Sequence, residues 1–232
     1  YKATPNTKKG QHWGSRIVFD QDGHLFFSIG DRGNRDVNPQ DITRDGGKIY
    51  RLNLDGSIPK DNPFVDNNNA KKAIYSYGHR NPQGMVMNPK TGEVWEHEHG
   101  PQGGDEINII KSGVNFGWPT ITYGINYSGT QITDKTAMPD MAQPFYYWVP
   151  SIAPSGMAFS SSGVYKDWEG DLFVGSLKFE YLERLVIKQN KVIQREKVLD
   201  KIGRVREVVE SPEGYLYLGV EGKGVLKIVP NQ

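Results

Sequence analysis

His12 is the residue whose type best suits acid–base chemistry. It lies in the segment GQHWGSRIVF, between two glycines that allow the backbone to come close to a ligand. Because histidine changes charge near physiological pH, its neutral imidazole is a natural proton acceptor. We interpret His12 as a candidate general base, with a purely structural histidine as the alternative. The structural interpretation is preferred for His24, His97 and His99, since no two histidines have the spacing of a helical zinc motif.

Arg80 and Asn81 occupy the segment GHRNPQGMVMNP, residues 78–89, where one strand is expected to end and another to begin. Arginine offers a rigid cationic fork and asparagine offers an amide, so the pair could contact a ligand. From the residues alone, Arg80 is equally well explained as a structural anchor of its loop. Asn81 followed by Pro82 also has the composition of a turn.

The segment EHGPQGGDEIN, residues 98–108, combines three glycines and a proline with carboxylates. Such a backbone can turn its carbonyl oxygens inward, and with a carboxylate nearby it provides oxygen ligands for a hard cation such as Ca²⁺. The segment does not have the pattern of an EF-hand loop. A tight turn with solvated Asp105 and Glu106 is the alternative interpretation.

Three cations lie towards the C-terminus: Lys178 in GSLK, and Arg204 and Arg206 in GRVREVV. Arg204 and Arg206 flank Val205, so in a strand both side chains point to the same face. If that face is buried, two arginines require an anion to match them. A solvated strand face is the alternative, and the local sequence favours it.

The order of apolar and polar residues predicts β-strands along almost the whole chain. Short alternating apolar and polar runs recur, closed by Gly, Asn, Asp and Pro. Four of them form strand–turn–strand units, each predicted to be the two inner strands of a propeller blade. The four units are residues 16–31, 84–100, 155–177 and 206–220. The predicted outer strands are residues 48–54, 183–199 and 224–229. A β-sandwich also has short, regularly spaced strands, but four copies of one hairpin favour the propeller.

Two insertions, residues 33–47 and 113–144, are too long for ordinary strand connections and are rich in Gly, Asn and Pro. We expect them to be functional loops or a bulky rim, because long loops on a rigid scaffold often carry function.

The composition excludes several classes of protein and site. With 28 Lys and Arg against 27 Asp and Glu, the formal net charge of +1 gives no sign of a nucleic-acid surface or a membrane surface. The absence of cysteine excludes disulfides and thiolate metal sites. Apolar runs extend over a few residues, so none could span a bilayer. The chain starts at Tyr1 without an initiator Met or a signal peptide, so we expect a processed or truncated product.

Taken in order, these segments resemble the soluble pyrroloquinoline-quinone-dependent aldose sugar dehydrogenases, the family that includes soluble glucose dehydrogenase. The matching segments cover nearly the whole chain: HWGSRIVF, SIGDRGN, DGSIPKDNPF, YSYGHRNPQGM, EHGPQGGDEIN, NFGWPTITYGINYSG, PSIAPSGMAF, GSLK and GRVREVV. The resemblance implies a six-bladed β-propeller, present in residues 1–232 as roughly four blades of a single partial domain. Roughly the first third of the family's fold would be missing, which would leave two strand edges exposed.

The resemblance also implies roles in an enzyme that oxidises aldoses at C1 to aldonolactones. His12 would take the proton from the C1 hydroxyl as hydride passes to pyrroloquinoline quinone. Arg80 would polarise the quinone carbonyl that becomes an oxyanion. The residues implied to bind the quinone are Arg80, Asn81, Tyr146, Ser151, Lys178, Arg204 and Arg206.

Two calcium sites are implied by the same resemblance. The carbonyl oxygens of Gly100 and Pro101 would hold a Ca²⁺ that also binds the quinone and acts as a Lewis acid. Glu106 and the main-chain oxygen of Phe116 resemble a second, structural calcium site.

The segment FYYWVPSIAPSG departs from the glucose enzymes. Val149 stands where those enzymes carry a tryptophan, and Trp148 comes one residue earlier, which would turn its side chain to the other face of a strand. The departure favours the broader aldose dehydrogenase branch. Asp36 and Gln40 are further candidate pocket residues.

The leading interpretation is a periplasmic or secreted quinoprotein that acts on an aldose, passes electrons to an external acceptor, and exists as a monomer or a homodimer. The alternative is a non-catalytic propeller that binds a sugar or a protein and has lost the cofactor. The combination of a base with several cations favours the enzyme, since a binding module has no need of both. A calcium-dependent lactonase would need a carboxylate-rich central metal site, whereas the candidate loop offers carbonyls.

Overall fold

The computed structural model describes residues 1–230, and all regular structure in this range is β-strand, arranged in four antiparallel sheets. The first sheet contains β1 (Ile17–Phe19), β2 (His24–Ile29), β3 (Lys48–Asn53) and β4 (Ile74–Tyr77). The second contains β5 (Pro82–Met87), β6 (Val94–Glu98), β7 (Asp105–Ile109) and β8 (Tyr146–Trp148). The third contains β9 (Pro154–Phe159), β10 (Leu172–Ser176), β11 (Leu182–Lys188) and β12 (Lys191–Leu199). The fourth contains β13 (Val205–Glu210), β14 (Leu216–Val220) and β15 (Gly224–Lys227).

Hydrogen-bonded neighbours follow chain order in every sheet, so each sheet is a meander of the kind that forms a propeller blade. The predicted strand–turn–strand units are the first two strands of each sheet, and the predicted outer strands are β3, β11, β12 and β15. The predicted class, an all-β propeller with four blades in this chain, is confirmed. Among residues 1–230, no helical segment has the length and apolar character needed to cross a bilayer.

The turns follow from their residues. Between β1 and β2, the Oδ1 atom of Asp20 accepts hydrogen bonds from the backbone amides of Asp22 at 3.0 Å and His24 at 2.7 Å. Between β11 and β12, Gln189 and Asn190 have φ angles of 50° and 56°. Two successive left-handed residues define the type I′ turn that matches the twist of paired strands.

The chain forms two compact units, each with its own core. Unit 1 comprises residues 1–87 and 92–151 and holds the first and second sheets. Its shared core is formed by Phe26, Ile49, Met85, Val94, Ile110 and Phe116. Unit 2 comprises residues 88–91 and the chain from residue 152 onwards, and it holds the third and fourth sheets. Its core includes Ala158, Phe173, Leu182, Val208, Leu216 and Leu218. The expectation of one domain over residues 1–232 stays a prediction.

Two strands have unusual character. All five residues of β6 are buried, although its sequence VWEHE contains two carboxylates and a histidine. In contrast, β12 is largely exposed at the outer edge of its sheet and is rich in Lys, Arg and Glu. Such charges discourage further strand pairing at an edge.

Candidate active site

His12 and Asp31 form a close pair in unit 1. His12 precedes β1 and has a φ angle of 53°, in the left-handed region that residues other than glycine rarely adopt. Its Nδ1 atom lies 2.6 Å from Oδ1 of Asp31, which follows β2 and is fully buried. With Nδ1–H donating to the carboxylate, the neutral imidazole keeps its lone pair on Nε2. The arrangement is suited to accepting a proton at Nε2.

A close backbone approach places His12 against the end of β2. A Cβ atom on Gly14 would lie 2.7 Å from the backbone nitrogen of Gly30, and Gly14 has a φ angle of 67°. The residue must therefore be glycine on both counts. Of the two flanking glycines, Gly14 allows the close approach to the end of β2, whereas a Cβ atom on Gly10 would meet nothing within 4 Å.

Asp31 connects several parts of the site. Its Oδ1 atom also accepts from the backbone amide of Gly33 at 2.7 Å, and its Oδ2 atom accepts from Nε1 of Trp118 at 2.8 Å. Its own amide donates to the carbonyl oxygen of Arg80 at 2.7 Å. Asp31 and Trp118 are not among the predicted site residues. The segments SIGDRGN and NFGWP that contain them were the available signal.

Arg80 and Asn81 lie directly before β5 and are both buried. The Nη1 atom of Arg80 donates to the carbonyl oxygens of His99 at 2.7 Å and Gly100 at 2.8 Å. The Oδ1 atom of Asn81 accepts from the backbone amide of Gly14 at 3.2 Å. These bonds bring four predicted site residues, His12, Arg80, Asn81 and Gly100, into one connected network in unit 1.

A buried ionic network supports this junction from β6. The Oε2 atom of Glu98 accepts from the backbone amides of both Arg80 and Asn81, the latter at 3.1 Å. The Nδ1 atom of His79 lies 3.3 Å from Oε1 of Glu98 and 3.5 Å from Oε1 of Glu96. Burial lowers the pKa of His79, but hydrogen bonds and charge attraction from the two glutamates outweigh it and raise that pKa to about 9. Burial, reinforced by repulsion from Glu98, raises the pKa of Glu96 to about 7.

The loop after β6 gathers main-chain oxygens around Gly100. A Cβ atom on Gly100 would lie 2.3 Å from the carbonyl oxygens of both Gly103 and Gly104. The amide of Gly100 donates to Oδ1 of Asp105 at 2.8 Å, so a buried carboxylate stands close by. Neutral carbonyls beside a carboxylate suit a hard cation, so the donor set at Gly100 and Pro101 fits calcium. The Gly100 oxygen is shared with the guanidinium of Arg80.

Glu106 and Phe116 also lie together, on one small cavity. The cavity has a volume of about 10 Å³, which is the space of one water-sized sphere. Its lining includes Arg80 and Gly100 as well as Glu98, Glu106 and Phe116. Desolvation, followed by repulsion from Glu98 and Glu96, raises the pKa of the half-buried Glu106 well above its ordinary value. The two carboxylates offer oxygen ligands for a cation, and the guanidinium of Arg80 lines the same space.

The segment FYYWVPSIAPSG, which departs from the glucose enzymes, contains both buried and exposed side chains. Trp148, at the end of β8, is buried and packs edge-on against Tyr146 at 5.2 Å between ring centroids. Val149 is exposed. Trp148 therefore does not take the place of a tryptophan at position 149. The Oγ atom of Ser151 donates to Asp105 at 2.9 Å and accepts from the amide of Gly103 at 3.0 Å, which joins it to the glycine-rich loop.

The two further pocket candidates differ in their surroundings. Asp36 is highly exposed beside Arg35. Gln40 is partly buried, and its Nε2 atom donates to the carbonyl oxygen of Trp118 at 2.8 Å and to Oδ1 of Asn115 at 3.1 Å. The two long insertions therefore contact each other through Gln40.

The three C-terminal cations lie in unit 2. Arg204 and Arg206 point to the same side, as expected, since both donate to Oε2 of Glu221, at 3.1 Å and 2.5 Å. Both are exposed, so the solvated face is the correct alternative and a buried arginine face is wrong. The Nη1 atom of Arg204 donates to the carbonyl oxygen of Leu177 at 3.3 Å. Leu177 directly precedes Lys178, which is also exposed. These four side chains carry three cations and one carboxylate.

Comparison with known proteins gives the family. The model of the glucose/sorbosone dehydrogenase family matches residues 1–227. Aldose sugar dehydrogenase YliI of Escherichia coli strain K12 is 43% identical over 235 residues, which cover 99% of this chain and 63% of that protein. The chain therefore spans less than two thirds of the length of this curated relative.

Two solved structures show the same fold. The soluble aldose sugar dehydrogenase of Escherichia coli in the apo-form superposes with a TM-score of 0.92 and 39% identity, over 100% of this chain and 68% of that chain. The PQQ-bound form of aldose sugar dehydrogenase from Streptomyces coelicolor has a TM-score of 0.72 and 29% identity, over 94% of this chain and 61% of that chain. The match from residue 1 to residue 227, with the site network inside it, shows that the chain belongs to the glucose/sorbosone dehydrogenase family.

Proposed function

We propose that the protein is a sugar dehydrogenase that oxidises an aldose at C1 to the aldonolactone, with pyrroloquinoline quinone and Ca²⁺ as cofactors. The observation that carries the proposal is the pairing of His12 with the buried Asp31 at 2.6 Å. A histidine oriented by a buried carboxylate is the arrangement expected of a general base. The family and a PQQ-bound relative support the choice of substrate class and cofactor.

His12 would accept the proton of the C1 hydroxyl at Nε2. Asp31 would then stabilise the imidazolium, because its Oδ1 atom already accepts from Nδ1. When bound, pyrroloquinoline quinone would supply the hydride acceptor and calcium would supply a Lewis acid. Arg80 would place a fixed positive charge where negative charge develops, since two carbonyl oxygens hold its guanidinium in position.

The cofactor-holding residues would act in three groups. Gly100 and Pro101 would hold the catalytic calcium through their carbonyl oxygens, and Glu106 with Phe116 would hold a structural calcium. Cations are suited to the carboxylates of the quinone. The residues proposed to contact the quinone are Asn81, Tyr146, Ser151, Lys178, Arg204 and Arg206.

The test is reconstitution of the full-length protein with pyrroloquinoline quinone and CaCl₂, followed by dye reduction with glucose and xylose. We expect turnover with at least one aldose, and a loss of roughly a hundredfold or more in His12→Gln, because a positioned base contributes on this scale. His24→Gln is the matched control, since His24 is bonded to Asp20 in a surface hairpin. Absence of turnover with any aldose, or full activity in His12→Gln, would contradict the proposal.

The proposal includes an external electron acceptor and a periplasmic or secreted location. Release of the native protein by osmotic shock, or its recovery from the medium, would test the location. Sedimentation of the purified protein would decide between a monomer and a homodimer.

A further inference from the structure

We propose that Trp118 is a positioning residue that holds the candidate base and Arg80 in one fixed arrangement. The inference rests on the proposed function, because it concerns the placement of His12 and Arg80 for that reaction. Trp118 belongs to the second long insertion and is 6% exposed. Its indole contacts Arg80 directly and reaches His12 through Asp31.

The first contact is polar. The Nε1–H group of Trp118 donates to Oδ2 of Asp31 at 2.8 Å, while Oδ1 of the same carboxylate receives Nδ1 of His12 at 2.6 Å. The two oxygens are therefore held by different partners. Because a carboxylate can rotate about its Cβ–Cγ bond, the indole bond to Oδ2, together with the bond from the Gly33 amide to Oδ1, fixes this rotation and keeps Oδ1 directed at His12.

The second contact involves the aromatic ring. The guanidinium carbon of Arg80 lies 5.4 Å from the ring centroid of Trp118, within the range of a cation–π interaction. The guanidinium thus contacts the ring and also donates to two carbonyl oxygens. Any shift of the indole would move the orientation of both Asp31 and Arg80.

The backbone of Trp118 is itself fixed. Its amide donates to the carbonyl oxygen of Gly78 at 2.9 Å, and its carbonyl oxygen accepts from Gln40 at 2.8 Å. Gln40 and Asn115 exchange amide hydrogen bonds at 3.1 Å and 2.7 Å. The indole is therefore supported by both long insertions, which is what a positioning residue requires.

The first experiment compares Trp118→Phe with Trp95→Phe in the full-length enzyme. Phenylalanine keeps a buried aromatic ring but removes the N–H donor to Asp31. Trp95 is a matched control, since it is 3% exposed and packs on Phe145 at 4.5 Å between centroids. We expect Trp118→Phe to lower kcat by roughly ten- to a hundredfold, with the aldose KM changed less than about twofold, because misplacement of a catalytic group affects the reaction step. Trp95→Phe should retain the wild-type kcat.

A double-mutant cycle separates positioning from a general structural effect. If Trp118 acts through Asp31, the loss of kcat caused by Trp118→Phe will shrink when Asp31 is already replaced in Asp31→Asn. Equal losses in both backgrounds, or an unchanged kcat in Trp118→Phe, would overturn the proposal.

A second readout needs neither cofactor nor turnover. In ¹⁵N-labelled protein, the indole N–H resonance of Trp118 should be protected from solvent exchange, and it should shift upfield in Asp31→Asn because the charged acceptor is lost. The Trp95 resonance should stay in place. An unmoved Trp118 resonance would overturn the proposal, even if Trp118→Phe fails to fold. A wild-type protein inactive with every aldose would instead contradict the proposed function, while the indole resonance still decides whether Trp118 holds Asp31.

Discussion

The Nη1 atom of Arg80 donates to the carbonyl oxygen of Gly100 at 2.8 Å, and this oxygen is also proposed to bind calcium. A carbonyl oxygen has two lone pairs, so it can accept the guanidinium and coordinate a metal ion together. Two cations on one oxygen nevertheless repel each other. The guanidinium of Arg80, which is proposed to assist the reaction, should therefore weaken calcium binding at Gly100.

Replacement of Arg80 should separate calcium affinity from activity. In Arg80→Gln, we expect calcium to bind at least about fivefold more tightly, because two unit charges ~4 Å apart repel by ~1 kcal/mol even in bulk water and this site is buried. Dehydrogenase activity should fall. Calorimetric titration with CaCl₂ measures the affinity, and Arg35→Gln is the control because Arg35 bonds to Asn126 instead. Unchanged or weaker calcium binding in Arg80→Gln would show that the shared oxygen is not a ligand.

A second prediction concerns the affinity for the cofactor and the cations Lys178, Arg204 and Arg206 of unit 2. Because Glu221 accepts from both Arg204 and Arg206, it competes with any added carboxylate for the two guanidiniums. We expect Arg206→Ala to weaken binding of pyrroloquinoline quinone by about tenfold, and Glu221→Gln to strengthen it. Fluorescence quenching measures both constants, with Lys191→Ala on the edge strand as the control. Identical affinities in Arg206→Ala and the wild type would remove this cluster from the binding site.

Glu98 should be important for stability. Its Oε2 atom accepts from the backbone amides of Arg80 and Asn81, and Glu98→Ala leaves both donors without this partner. We expect the free energy of unfolding to fall by roughly 2–4 kcal/mol, since a buried amide without an acceptor costs about 1–3 kcal/mol. Urea unfolding measures the change. Removal of the exposed carboxylate in Asp66→Ala should have little effect, and an equal loss there would argue against a specific role for Glu98.

Lys48 should make stability depend on pH. Lys48 is fully buried, and its Nζ atom donates to the carbonyl oxygens of Gly46, at 2.8 Å, and Asn38. Burial lowers its pKa from 10.5 to about 7, against attraction from Asp41 and Asp45. Between these two values the unfolded chain binds more protons than the folded chain, so stability rises with pH in this window. Below about pH 7 both states are protonated and the contribution is constant.

Lys48→Met should remove this dependence. Relative to the variant, the wild type should gain up to about 1.4 kcal/mol of unfolding free energy per pH unit above pH 7, measured by urea unfolding from pH 6 to pH 10. The exposed Lys60→Met is the control and should follow the wild-type curve. Parallel curves for wild type and Lys48→Met would contradict the lowered pKa.

The fold could be predicted because the residues that specify each hairpin are close together in the sequence. Each strand–turn–strand unit has its own turn residues, such as Asp20 and Gly23, and its own alternation of apolar and polar side chains. The same alternation correctly placed Arg204 and Arg206 on one face. Whether that face is buried depends on neighbouring elements, so the sequence left both alternatives open.

The candidate site was predictable only in part, because its supporting residues are distant along the chain. His12 and Arg80 were identified by type and by resemblance, but the indole of Trp118 meets the carboxylate of Asp31 across 87 positions. Glu98 meets the amide of Arg80 across 18 positions, from a strand whose carboxylates gave no sign of burial. Such contacts are set by the packing of sheets and long loops, for which local spacing holds no signal.

The hydrogen bonds that Glu98 accepts also affect how rigid the site is. Two successive main-chain amides, those of Arg80 and Asn81, are tied to a buried side chain of the adjacent strand β6 in the same sheet. Their hydrogens should exchange with deuterium as slowly as those of the central strands, since opening them requires the sheet itself to separate. Arg80 and Asn81 are therefore held on a rigid part of the sheet, so the groups proposed to meet the quinone keep their places before any cofactor binds.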